Sequence, residues 1–116
     1  MLPRMDDPDK ANGAAHREYL RNRVATFARE HIAPRTDLRE HTVVPKDLWQ
    51  AVGEAGLAQI ALPIDFGGAG GDLRTLVMAA EALAETGGNL GMVTSWMGRQ
   101  LIARLHILGH GTEAQR

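Results

Sequence analysis

Glycine is distributed so unevenly along this 116-residue chain that it divides the fold in two. Twelve of the 13 glycines lie at Gly53 or later. Glycine inside a helix costs about 1 kcal/mol relative to alanine, and it is favoured where the backbone must turn left-handed. The front half is therefore expected to carry long, uninterrupted helix. The back half is expected to carry tight turns between elements.

The apolar spacing agrees with an all-α, up-and-down bundle of about four helices. Residues 1–14 are polar, contain Pro3, Pro8 and Gly13, and read as a flexible lead-in. In 15–38, Leu20, Val24, Phe27, Ala28 and Ile32 recur at helical spacing, and Pro34 should kink or break the pattern. A short second helix opens at Pro45, buries Leu48, Trp49 and Val52, and closes at Gly56 in a left-handed cap. Residues 57–64 are apolar and read as an extended segment or a buried connector. Residues 65–71 (DFGGAGG) must turn. Asp72 suits the N-cap of a third helix to about Thr86, with Leu73, Leu76, Val77, Ala80 and Leu83 inward, and Gly87-Gly88 stops it. A fourth helix spans about 89–108 and closes at Gly109; it is apolar on several sides and needs cover on most of its surface.

Composition removes several functions. Thirteen basic against 14 acidic residues give a net charge of −1, without the bulk attraction that non-specific nucleic-acid binding needs. Cysteine is absent, which excludes a disulfide framework and a thiol nucleophile. The longest stretch without a charged side chain, 86–98, is too short to span a bilayer, and Met1 to Asp7 already carries three charges. The expectation is a single domain in the cytoplasm, with no nucleic acid and no membrane insertion.

The candidate chemistries mostly fail on inspection. The glycine loop imitates a dinucleotide-binding turn, but Leu73 stands where the third glycine belongs, and Asp72 would oppose a pyrophosphate. His106 and His110 have a metal-compatible spacing, but they flank a helix end, where cationic side chains are common; no metal is expected. Glu81 and Glu85 read as a solvated face or an interhelix salt bridge, because no Glu-x-x-His occurs for a di-iron site. Ser95, the one serine, lies in no Gly-x-Ser-x-Gly elbow and reads as a helix-packing hydroxyl. Arg99 and Arg104 interrupt the apolar fourth helix, either as snorkelling edge residues or as buried groups with a partner outside the chain. Thr112-Glu113-Ala114-Gln115 has the form of a capping box and announces a further helix. The chain is therefore expected to be part of something longer or to lean on a partner.

Five segments in order resemble the N-terminal helical domain of the acyl-CoA dehydrogenase flavoproteins. They are Val24–Arg35 (VATFAREHIAPR), Pro45–Trp49 with Gly53–Leu57 (PKDLW, GEAGL), Leu62–Gly70 (LPIDFGGAG), Glu81–Ala84 (EALA) and Gly111–Arg116 (GTEAQR). The resemblance covers about Tyr19 to Arg116 and places a single domain at 15–116. It implies oxidation of an acyl-CoA thioester at Cα–Cβ, with FAD accepting the hydride and a glutamate of a C-terminal domain removing the α-proton. No catalytic residue carries over to this chain, and the resemblance assigns most FAD contacts to the β and C-terminal domains and names no cofactor-binding residue here; FAD is expected only in the complete enzyme, as is the acyl-CoA substrate. What carries over is part of the acyl-pocket wall, at Thr94, Ser95, Gly98 and Ile102. The resemblance also implies β and C-terminal domains, or a partner subunit, and a homo-oligomer. Gly98 either leaves room for a longer or bulkier acyl group or permits close helix packing. The alternative to an enzyme part is a self-standing helical module that docks on a partner or self-associates.

Overall fold

The computed structural model describes Lys10 and residues 12–116. The expected flexible lead-in falls mostly on residues outside this set. Four helices carry the fold: α1 (Ala14–His31), α2 (Lys46–Glu54), α3 (Leu73–Gly87) and α4 (Leu90–Leu101). Among the described residues there is no strand.

Helix α1 ends earlier than the apolar pattern suggests. It stops at His31, where the chain enters turns before a 3-10 segment at Thr36–Glu40. Pro34 is the reason, since its ring excludes the helical hydrogen bond and crowds the preceding turn. The 3-10 segment is strapped by Arg35, whose guanidinium donates to both carboxylate oxygens of Asp37 at 2.8 Å and to Asp47 at 2.8 Å. These bonds hold the Asp37 carboxyl well below the usual carboxylate range.

Helix α1 buries Leu20, Val24, Phe27 and Ala28 against α3. Helix α3 buries Ala79, Ala80 and Ala82 beside Thr75, Leu76 and Leu83. Small side chains let two helices approach closely, and at the far end a Cβ on Gly87 would lie 2.9 Å from Ile32. Leu73 and Val77, expected inward, lie on the outside of α3, 49% and 54% exposed, while the buried side of the helix is carried by Thr75, Leu76, Ala79, Ala80, Ala82 and Leu83. Arg21 of α1 bridges to Glu81 at 3.4 Å and Glu85 at 3.0 Å, the interhelix alternative for that carboxylate pair. All three side chains are substantially exposed, so the bridges contribute well under about 1 kcal/mol each.

The apolar stretch 57–64 is a buried connector. Leu57, Ile60 and Ala61 enter the core without forming a strand. Helix α4 begins at an Asn89 cap, whose side chain accepts from the Met92 N–H at 2.8 Å. It buries Met92, Val93, Trp96 and Gln100. Its continuation, Ile102–Ile107, widens into a π turn before a last turn at Leu108–His110.

Candidate functional site

The loop between Pro63 and α3 is closely bonded through its own backbone. Gly67 and Gly70 take the left-handed conformation, at φ 83° and 87°. Six consecutive amides, Gly67 to Asp72, each donate to an acceptor within the chain. The acceptors are the carbonyls of Ile64, Pro63, Gln59, Leu62 and Ile60, and for Asp72 the side chain of Asn12 at 2.9 Å. Asn12 also donates to the Gly70 carbonyl, so the end of the expected lead-in is tied to the loop. A Cβ on Gly68 would sit 2.0 Å from the Leu62 carbonyl oxygen, and one on Gly71 would sit 2.4 Å from that of Ile60. The glycines serve backbone-on-backbone packing. A phosphate cradle needs free amides, and these six are committed. The α3 N-terminus is likewise closed: Asp72 accepts from the Thr75 N–H at 3.0 Å and from its hydroxyl at 3.2 Å. The loop therefore does not fit the pyrophosphate of FAD.

Arg104 locks this loop from the far side. It lies in the π turn after α4, and its guanidinium donates to the carbonyls of Ala61 and, at 3.3 Å, Gly71. A π turn inserts a residue into the helical phase and re-aims the side chains it carries. The partner of Arg104 is thus inside the chain. No sequence signal at Arg104 identifies those carbonyls.

Thr94, Ser95, Gly98 and Ile102 come together on the outer side of α4. Thr94 and Ser95 are exposed, Gly98 is half-buried, and Ile102 is 54% exposed. Thr94, Gly98 and Ile102 repeat every four residues and share one face. A Cβ on Gly98 would meet nothing within 4 Å among the described residues. Helix packing within this chain therefore does not require the glycine. Ser95, expected as a packing hydroxyl, faces outward instead.

Ser95 also lines an open groove of about 630 Å³ between α4 and the start of α2, together with His41, Val43, Lys46, Trp49 and Arg99. The Arg99 guanidinium carbon lies over the Trp49 ring, 4.0 Å from its centroid. Trp49, expected fully inward, is half-buried under it. His106 and His110 are both exposed. No group of three or more metal-ligating side chains gathers among the described residues. No helix among them is long and apolar enough to cross a membrane. Thr112 and Gln115 form the expected reciprocal box: the Thr112 N–H donates to Gln115 Oε1 at 2.9 Å, and the Gln115 N–H to Thr112 Oγ1 at 3.3 Å.

Comparison with known proteins agrees with the order of these elements. Residues 14–116 match the family model described as "Acyl-CoA dehydrogenase, N-terminal domain". A short-chain-specific acyl-CoA dehydrogenase of Clostridium acetobutylicum is 31% identical over 90% of this chain and 27% of its own length. A mitochondrial isovaleryl-CoA dehydrogenase of Pongo abelii is 28% identical over 93% of this chain and 26% of its own. A (2S)-methylsuccinyl-CoA dehydrogenase of Cereibacter sphaeroides is 28% identical over 85% and 18%. The chain thus spans about a quarter of the length of the first curated relatives it matches. No solved structure gives a significant match.

Proposed function

This chain belongs to the acyl-CoA dehydrogenase family, and from that premise we propose that it is the N-terminal helical part of an FAD-dependent enzyme that dehydrogenates an acyl-CoA thioester between Cα and Cβ. Bound FAD supplies the hydride acceptor for that reaction. The chain's own contribution is one wall of the acyl pocket and no catalytic base.

The observation that carries this reading is the outer face of α4. Thr94, Gly98 and Ile102 form a row of small, absent and branched side chains, with Thr94 and Ile102 exposed and open space where a Cβ on Gly98 would stand. An acyl chain lying along the row would be shielded from water by Ile102 and would find a hollow at Gly98. The hollow suits a longer or bulkier acyl group. The exposed Leu90, Leu105 and Ile107 add apolar surface that other domains, or a second copy in a homo-oligomer, would cover. We place the complete enzyme in the cytoplasm.

The test is the native protein, captured from its source cell with an antibody against this chain. The expected species is several times larger than 12.6 kDa, carries flavin, and loses its flavin absorbance when an acyl-CoA is added without oxygen. A colourless species of 12.6 kDa overturns the reading in favour of a self-standing helical module. In the complete enzyme, Gly98→Leu should shorten the longest acyl chain accepted. An unchanged chain-length preference removes Gly98 from the pocket.

A further inference from the structure

We infer that Asn12-Gly13 is a self-modification site gated by the fold. The closed contact between Asn12 and the glycine loop protects the asparagine; opening of that latch exposes it to deamidation, and the product cannot remake the same latch. The inference is independent of the acyl-pocket reading.

The chemistry follows from the dipeptide. Of the three asparagines, Asn12, Asn22 and Asn89, only Asn12 is followed by glycine; the others precede Arg23 and Leu90. Glycine has no Cβ to crowd its own amide nitrogen or to restrict its backbone. In deamidation the Gly13 nitrogen, having lost its proton to water, attacks Asn12 Cγ. The Cγ–Nδ2 bond breaks and Nδ2 leaves as ammonia. Water then opens the cyclic imide at one of its two carbonyls. One opening leaves aspartate; the other leaves an isoaspartyl link, in which the main chain runs through the former side chain. One water is consumed, one ammonia is released, and nothing is oxidised or reduced.

In the folded chain both reacting groups are occupied. The Asn12 carboxamide donates from Nδ2 to the Gly70 carbonyl at 3.3 Å and accepts at Oδ1 from the Asp72 N–H at 2.9 Å. It thus pairs with the loop backbone as donor and acceptor at once. The Gly13 N–H donates to the Lys10 carbonyl at 3.2 Å, and the Gly13 carbonyl accepts from the Arg17 N–H at 3.0 Å to start α1. The Arg17 side chain also donates to the Asn12 carbonyl. Attack therefore requires the carboxamide to leave the loop and turn onto the Gly13 nitrogen, so its rate follows the frequency of local opening.

The product is mismatched to the loop. A carboxylate only accepts, so aspartate at position 12 keeps a partner in the Asp72 N–H and loses the donor that the Gly70 carbonyl uses. The Asp72 carboxylate, capping α3 through Thr75, adds like-charge repulsion at the same place. An isoaspartyl link also inserts a carbon into the main chain directly before Gly13, the N-cap of α1.

The experiment ages the full chain and a free peptide of residues 10–17 (KANGAAHR) side by side at neutral pH. Mass spectrometry of the tryptic segment 11–17 follows the loss of Asn12, and isoaspartyl methyltransferase labelling counts the isoaspartyl product. The peptide is expected to lose Asn12 at least about 10-fold faster than the folded chain, with Asn22 and Asn89 of the chain intact. Gly13→Ala, which suits the ordinary extended conformation at this position (φ −72°, ψ 154°), should slow the loss several-fold in both. Asn12→Asp should raise amide hydrogen exchange at 70–72 by about 2- to 10-fold, the range for loss of one hydrogen bond, with circular dichroism unchanged. Equal rates in chain and peptide, or exchange at 70–72 unmoved by Asn12→Asp, overturn the latch. A free peptide that keeps its asparagine overturns the modification site itself.

Discussion

Trp96, with no exposed surface, donates from its indole Nε1 to the carbonyl oxygen of Leu57 at 3.1 Å. The bond fastens the centre of α4 to the irregular connector that follows α2. The connector has no regular ladder to satisfy its carbonyls, so an outside donor is needed to bury this one. Trp96→Phe should cost about 1–3 kcal/mol by stranding the Leu57 carbonyl, and Trp96→Ala about 3–5 kcal/mol by adding a cavity. Urea unfolding of this chain followed by circular dichroism checks both. A Phe variant as stable as the wild type would show that the carbonyl finds another donor.

Arg104 performs a similar task for the glycine loop, through the carbonyls of Ala61 and Gly71. Arg104→Met keeps the aliphatic stem and removes the donors. It should destabilise the chain by about 1–3 kcal/mol and raise amide hydrogen exchange chiefly in 60–72. Faster exchange spread evenly over all four helices would contradict a local lock.

Glycines of the two kinds should respond oppositely to a methyl group. Gly98 is helical with open space around its missing Cβ, so Gly98→Ala should stabilise by about 0.4–1 kcal/mol through helix propensity. A Cβ on Gly68 would overlap the Leu62 carbonyl, so Gly68→Ala should destabilise by more than that gain. Thermal midpoints of the two variants, measured side by side, give the signs directly.

Acid should weaken the chain partly through Asp72. Burial pushes its carboxyl upward, but the Thr75 backbone N–H, the Thr75 hydroxyl and the charge of Arg17 outweigh this and lower it below the ordinary carboxylate value. The folded state thus holds the Asp72 proton less tightly than the unfolded state does. Stability from this group is present above the unfolded carboxylate pKa of about 4 and is lost as pH falls through the lower folded value. Asp72→Asn preserves an N-cap acceptor without the charge. Its unfolding midpoint should be less pH-dependent between about pH 5 and pH 3 than that of the wild type. Identical slopes would assign the acid sensitivity elsewhere, with the Asp37 carboxylate under Arg35 the next group to replace.

The features legible in the sequence share a short range. The Asp72 and Asn89 caps, the left-handed glycines Gly56 and Gly88, and the Thr112–Gln115 box each depend on groups no more than four positions apart. Their geometry follows from helix hydrogen bonding alone. The shared face of Thr94, Gly98 and Ile102 needs only the helical repeat, the five family segments need only their order, and the reading of that face as an acyl-pocket wall comes from the resemblance alone.

What failed to show in the sequence depends on contacts far apart in the chain. Leu73 and Val77 have the right spacing to be core residues, yet α3 buries Leu76, Ala79, Ala80, Ala82 and Leu83 and leaves them outside. Arg104 meets carbonyls 43 and 33 positions away. Arg99 lies on a tryptophan of another helix. The glycine loop looked like an anion cradle because its composition is that of one, and only the folded chain shows its six amides already taken. The sequence by itself determined that the chain is helical, where the four main helices begin, and to which family they belong, because periodicity and N-terminal caps are written within a few residues. The tertiary structure alone decided which polar groups are used up inside the fold and which are left facing outward, because an acceptor is chosen by proximity after packing.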